Sequence, residues 1–255
     1  MQIRNKSKFK FKKLWKRYKA TRRRRSGSVK LFGKRFEYHY RYCFDLTYKE
    51  LFNQNIYEFD ADSDTPLILD CGANMGLSLL FFSKRYPKSR IIAFEPDETV
   101  LPCLRANITA QLMDNVELVE KAVWTEETSL NFFTDSGMGG RIGEMYSGQS
   151  PMSVRTVRLR DYLHDKIDFL KLDIEGAEYQ VIKDCEDLLP NISFMFIEYH
   201  SRYDEKQQLG ELLVLLNKAG FRYHIQESWT RKRPFVDRKL SGEKFEMAIN
   251  VFAYR

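Results

Sequence analysis

Asp70-Cys71-Gly72-Ala73-Asn74-Met75-Gly76 stands between two apolar stretches, Leu67-Ile68-Leu69 before it and Leu77 to Tyr86 after it. A short unbroken apolar run suits a parallel strand covered on both faces. The longer stretch reads as a helix stopped by Pro87. Glycine in the turn between them lets the backbone bend tightly and come close to a ligand. The segment is thus strand, ligand-binding turn and helix, the first unit of an α/β sheet. The Gly72-to-Gly76 spacing is not the G-x-G-x-x-G that sets a pyrophosphate on a helix N-terminus, which argues against an NAD-dependent oxidoreductase.

Downstream the rhythm repeats. Ile91 to Phe94 is a second strand, Glu98 to Leu112 a helix and Val116 to Val119 a third strand. Leu130 to Phe133 and Val154 to Leu159 are further strands around a polar stretch, Thr134 to Ser153, whose glycines suit a lid or binding loop. Phe169 to Leu172 is a central strand, Ala177 to Leu188 its helix, Phe194 to Glu198 the next strand and Gln208 to Ala219 the next helix. Phe221 to Ile225 and Phe245 to Phe252 close the chain as a hairpin around the basic loop Glu227 to Lys244. This order predicts a mostly parallel, doubly wound sheet with helices on both faces and a C-terminal antiparallel strand. Upstream, Val29 to Phe59 reads as a short β segment and a helix from Tyr48 to Tyr57, covering one edge of the core. The expected organisation is a basic arm at 1–28, an extension at 29–65 packed on the core and a main domain at 66–255.

The chemistry-bearing residues fall at strand C-termini, where ligands sit in open α/β sheets. Glu95, in Phe94-Glu95-Pro96, ends the second strand, where a carboxylate can hold two ribose hydroxyls. Asp173, Glu175 and Glu178 follow the central strand in Lys171-Leu172-Asp173-Ile174-Glu175-Gly176-Ala177-Glu178, and Ile197-Glu198-Tyr199-His200 ends its neighbour. The fold itself brings these motifs to one crevice.

Together with Asn115 to Val123, these motifs resemble the FkbM family of methyltransferases that use S-adenosylmethionine (SAM). The resemblance spans Leu67 to His200, just over half the chain, and Lys171 to Glu178 is its most specific block. Cys71 departs from the Val or Ile common there. The resemblance implies a Rossmann-like class I methyltransferase on a seven-stranded sheet, with SAM as donor and a hydroxyl acceptor, a sugar or glycan. It implies that Asp70, Gly72, Ala73 and Asn74 form the SAM turn and that Glu95 holds the ribose. Glu120 to Ala122 border the adenine, and Asp173 faces the methionine end of SAM and the acceptor. A sugar hydroxyl is a poor nucleophile at neutral pH, so a base is needed within hydrogen-bond reach. Asp173, Glu175, Glu178 and His200 are the candidates. A bound divalent metal such as Mg²⁺ is the alternative, using some of the same groups.

Plainer roles stand beside these. Gly72 and Gly76 can serve only a turn, Glu178 suits the first turn of a helix, Glu175 a cap, and His200 a polar contact at a strand end. Cys71 reads as a small buried filler. A non-catalytic protein that keeps only the fold is a rival reading, against which Asp70, Glu95 and Asp173 are all present.

Charge divides the chain. Residues 1–25 carry 13 of its 42 Lys and Arg and no acid, so the other 29 face 35 acidic residues. Cys43, Cys71, Cys103 and Cys185 show no paired spacing, which predicts reduced thiols. The N-terminus lacks a signal-peptide apolar region, and no apolar run reaches the roughly 18 residues of a spanning helix, which points to the cytoplasm. The arm reads as a solvated tail, an RNA contact or, best, a helix with Phe11, Leu14, Trp15 and Tyr18 on one stripe for the anionic inner face of a membrane. Deleting residues 1–25 is expected to abolish cosedimentation with anionic vesicles at low salt while turnover of a small soluble acceptor stays near normal. Full-length protein that ignores such vesicles contradicts the membrane assignment.

Overall fold

Alternation along the strands sorts the core into two halves. In the computed structural model, which describes residues 26–134, 140–142, 151–203, 205–236 and 245–255, neighbouring apolar residues of one strand enter different clusters. Ile68 and Phe169 belong to one cluster, Leu69 and Leu170 to the other. That period of two is the pleat of a sheet buried on both sides.

The described chain opens with the hairpin β1 (Gly27–Leu31) and β2 (Lys34–Tyr38), followed by helix α1 (Arg41–Tyr48) and a π-helical turn, Lys49–Asn53. Then come β3 (Leu67–Cys71), α2 (Leu77–Arg85), β4 (Arg90–Phe94), α3 (Leu101–Gln111) and β5 (Val116–Val119). A middle section holds β6 (Ala122–Trp124), β7 (Ser129–Thr134), β8 (Gly140–Ile142) and β9 (Pro151–Arg158). The remainder is β10 (Ile167–Leu172), α4 (Glu178–Asp184), β11 (Ile192–Arg202), α5 (Leu209–Lys218), β12 (Arg222–Thr230) and β13 (Phe245–Tyr254). The main sheet has seven strands in the order β12-β13-β11-β10-β3-β4-β5. Its pairings are parallel except those of β13, which runs antiparallel to both neighbours. Strand order reverses at β3, between β10 and β4, which opens a crevice at the C-terminal ends of these strands. A second sheet, β6-β9-β7-β8, lies beside it.

The extension covers a face of the sheet rather than an edge. Tyr57 and Phe59 enter the cluster of Phe82, Phe169 and Phe196, with Tyr57 and Phe196 centroids 4.7 Å apart. The Asn107 side chain on α3 ties the hairpin down, accepting from Glu37 N at 2.6 Å and donating to Glu37 O at 2.9 Å and Met75 O at 2.8 Å. These bonds leave a fully buried amide satisfied.

Several element ends differ from the sequence reading for local reasons. The helix expected from Glu98 starts at Leu101, because Asp97 Oδ1 accepts from Thr99 N at 2.8 Å and holds a turn before it. The helix expected at 48–57 lies earlier, in α1 and its π turn, and Asn55 with φ 52° ends that path. The helix expected at 177–188 stops at Asp184. β11 and β12 run beyond the expected Glu198 and Ile225 because β13 pairs with both of them that far. The short strand β6 has no counterpart in the sequence reading. Most of the glycine-bearing stretch 134–153 lies outside the described residues or is limited to its backbone. All four cysteines are free. Among the described residues no helix is long and apolar enough to cross a membrane.

Candidate functional site

The ends of β3, β4, β10 and β11 bring the motifs together. After β3 the chain turns through Gly72 (φ 92°), Asn74 (φ 48°) and Gly76 (φ 85°) before entering α2. Gly72 N and Ala73 N both donate to Phe94 O at 3.0 Å, so the turn leans on the end of β4. A Cβ at Gly72 would lie 2.0 Å from the backbone oxygen of Asp173. The close approach that requires glycine here is to the neighbouring turn. A Cβ at Gly76 would come within 2.8 Å of Leu104, where α2 meets α3.

Lys171 is the group that sequence reasoning passed over. It sits in β10, whose residues are all buried, and its side chain is 4% exposed. Its ammonium donates to Gly72 O at 2.7 Å and lies 3.3 Å from Asp70 Oδ1 and 3.5 Å from Asp173 Oδ2. Burial disfavours its charge, but Asp70 and then Asp173 outweigh that, and its pKa is raised. Asp70 is fully buried and also accepts from Ser78 Oγ at 2.5 Å. It supports the turn from below and does not line the crevice. A lysine inside an apolar strand was the available signal, since lysine is almost never fully buried without a partner.

Glu95 ends β4 and holds the turn from the other side. Oε2 accepts from Asn74 N at 2.8 Å and Oε1 from Asp97 N at 2.9 Å. Burial raises its pKa to about 7 despite the N–H groups of Asp97 and Asn74. Glu120, expected near an adenine, gives its side chain to Arg105, which donates from Nε at 2.6 Å and from a terminal nitrogen at 2.5 Å. That pair lowers the Glu120 pKa. Ala122 is buried in β6 beside it.

The turn after β10 is built on Glu178, which is fully buried. Its Oε1 accepts from Ile174 N at 3.2 Å and Gly176 N at 2.9 Å, and meets His200 Nδ1 at 3.1 Å. The structural role weighed for Glu178 is thus visible, with a second task in orienting His200. Glu175 sits in a left-handed conformation, φ 59°, a strained geometry that clusters at functional sites. It faces His200 Nε2 at 3.7 Å. Burial raises Glu175 to about 8, countered by His200 and reinforced by Asp173. Burial works against charge on His200, but Glu175 and Glu178 overcome it and its pKa lies well above the usual value. Asp173, Glu175 and His200 place one ligand atom each within 4.8 Å of one another.

Three further groups feel the charge of Asp173. Glu198 accepts from Ser228 Oγ at 2.6 Å and is raised to about 7, first by burial and then by Asp173. Tyr57 is raised well above its ordinary value, first by burial and then by Asp173. Burial and Asp173 also raise Glu50 on the π turn. Cys71 is buried and its thiol pushed well up, which makes it inert as a nucleophile.

The family model for the methyltransferase FkbM domain matches residues 70–223, more than half of the chain, from the end of β3 through β11. The chain belongs to the FkbM methyltransferase family. The 31-O-demethyl-FK506 methyltransferase FkbM of Streptomyces tacrolimicus is 26% identical over 213 residues, covering 68% of this chain and 80% of that protein. The 2-O-methyltransferase NoeI of Sinorhizobium fredii is 28% identical over 174 residues, covering 59% of this chain and 71% of the relative. The solved methyltransferase FkbM of Methylobacillus flagellatus KT aligns with a TM-score of 0.50 at 15% identity over 80% of this chain. The aligned part is about half of that structure's chain, 47%. The Rossmann-like class I methyltransferase fold is thereby shown, and the FkbM-type protein is a methyltransferase.

In this methyltransferase the Gly72 turn leaves no room for a side chain against the backbone of Asp173. Gly72→Ala is expected to cost ~2–6 kcal/mol from strained φ and overpacking together, read by urea unfolding. A variant within about 1 kcal/mol of the parent contradicts the role given to that contact.

Proposed function

We propose that the chain transfers the methyl group of SAM to a hydroxyl of a neutral polyhydroxylated acceptor, a sugar or glycan. The observation that carries this reading is the double placement of Asp173. Its backbone oxygen seats the Gly72 turn, while its side chain stands partly exposed at the crevice.

The residues present suit SAM. Each Glu95 oxygen spends one lone pair on a backbone N–H and keeps another for a ribose hydroxyl. The backbone of Glu120 to Ala122, rather than the Glu120 side chain, borders the adenine. The turn of Gly72, Ala73 and Asn74, held by Lys171 and Asp70, carries the methionine end next to Asp173. Bound SAM supplies a methyl group on a positively charged sulfur that departs as a neutral thioether. Asp173 orients the hydroxyl toward that methyl and draws its proton, with Glu175 and His200 alongside. The Asp173 carboxylate repels a phosphate, which disfavours nucleic acid as acceptor. Oxygen as the accepting atom is supported by relatives named for 2-O and 31-O positions. Residues 1–25, which lie outside the described residues, add contact with an anionic inner membrane face on charge alone.

Glu95→Ala is expected to lower SAM affinity by roughly ten- to a hundred-fold, the value of a charged hydrogen-bonded hold. The ribose favours the ionised carboxylate, and free Glu95 titrates at about 7. Affinity therefore falls as pH drops below that value, by roughly tenfold per unit, and the fall disappears in Glu95→Gln. Asp173→Asn is expected to cost a rate factor on the order of 10²–10⁴ with a smaller change in SAM affinity. Near-normal turnover in Asp173→Asn, or pH-indifferent SAM binding in the parent, overturns these assignments.

A further inference from the structure

We propose that the face of β11, β13 and β12 beside the crevice is an outer acceptor subsite, in which Glu198, Asn250, Gln226 and Trp229 hold the sugar unit next to the one that is methylated. The proposal rests on the reading of the crevice as the site of a glycan acceptor and deepens it by naming where the rest of that glycan lies.

Strand register puts these residues side by side. Glu198 of β11 pairs with Asn250 of β13, which pairs with Gln226 of β12. One step nearer the C-terminal end of β11, His200 pairs with Ala248 and Ala248 with Trp229. Cross-strand partners share a face of the sheet, so both rows lie on the face that carries His200. Ser228, the extra residue of the bulge between Glu227 and Trp229, reaches across β13 and donates to Glu198 Oε1 at 2.6 Å. That bond carries the Glu198 carboxyl over β13, toward the edge of the sheet. Asn250 is 9% exposed, yet its side-chain oxygen is buried with no hydrogen-bond partner among the described residues. Buried amides are ordinarily satisfied, and this one keeps hydrogen-bonding capacity for a partner outside the chain.

The chemistry of the two rows selects a sugar. Trp229 is 40% exposed, and an indole face beside amides and a carboxyl is the combination that takes a pyranose, with C–H groups on the ring and hydroxyls on the polar atoms. The small side chain of Ala248 keeps the floor low between His200 and Trp229, and two strand spacings, about 10 Å, leave room there for one sugar ring. Glu198, raised to about 7, donates as well as accepts near neutral pH, which suits a hydroxyl and not a phosphate. A second chain adding a strand fits less well. β12 is the edge strand, but its bulge breaks the regular ladder at the level of Trp229.

The test takes as acceptor the cell glycan fraction that the full-length chain labels from isotopically labelled SAM, with SAM affinity measured on the same protein samples. Trp229→Ala is expected to raise the KM for that glycan by roughly tenfold and Gln226→Ala by roughly fivefold, while SAM affinity stays within about twofold. The loss falls on KM more than on kcat, because neither residue touches the reacting atoms. Trp229→Phe, which keeps an aromatic face, recovers most of what Trp229→Ala loses. A KM unchanged in both alanine variants, a loss that Trp229→Phe shares in full, or a parallel loss of SAM affinity overturns the subsite. If the glycan is still labelled by the parent in that case, only the subsite falls. If the parent binds SAM but labels no glycan, the reading of the crevice falls with it.

Discussion

A single buried ammonium, Lys171 Nζ, joins the ends of β3 and β10 at the point on which the site depends. It donates to Gly72 O and lies between Asp70 and Asp173, so the turn after one strand and the carboxylate after the next are fixed to the same charge. A buried charge group of this kind adds little net stability, because desolvation offsets most of its Coulombic gain. Removing one partner, however, leaves the others uncompensated at about 3–5 kcal/mol. The arrangement is best understood as positional. It ties the Gly72 turn and the Asp173 carboxylate to one another, as the proposed alignment of an oxygen with a methyl carbon demands.

The other buried acids divide similar work. Glu95 holds the outer side of the Gly72 turn through two backbone N–H groups, and Glu178 holds the Asp173–Gly176 turn through two more. Neither has a lysine or arginine partner in those bonds. Each carboxylate takes up backbone N–H groups in place of solvent, which suits the proposed binding of a cationic donor. The aromatic extension contributes by roofing the sheet from Tyr57 to Phe59 and by bringing Tyr57 and Glu50 under the influence of Asp173.

Much of the fold was legible because its signals are local. The apolar runs at Leu67, Ile91 and Phe169 mark buried strands, and Gly72, Glu95 and Asp173 each follow such a run directly. The antiparallel end strand could be read from Phe221 and Phe245 occurring with no helix between them. Signals that depend on distant partners were not legible. Lys171 looks like an ordinary charge until Asp70, a hundred residues earlier, is placed beside it. Glu178 reads as a first-turn acid until His200 arrives from β11. Glu120 was assigned by its place in a motif, whereas its side chain answers to Arg105 on a neighbouring helix. Helix ends slipped where side chains competed for the backbone, as Asp97 does ahead of α3.

The acceptor is where the account is most directly exposed. The decisive measurement is incubation of the full-length chain with SAM carrying an isotopically labelled methyl group and with fractionated cell glycans, lipids and RNA, followed by mass-spectrometric location of the label. The account predicts label on a sugar oxygen in a glycan or glycolipid fraction. Label on RNA or on a nitrogen atom, or no transfer to any fraction by protein that demonstrably binds SAM, would contradict it.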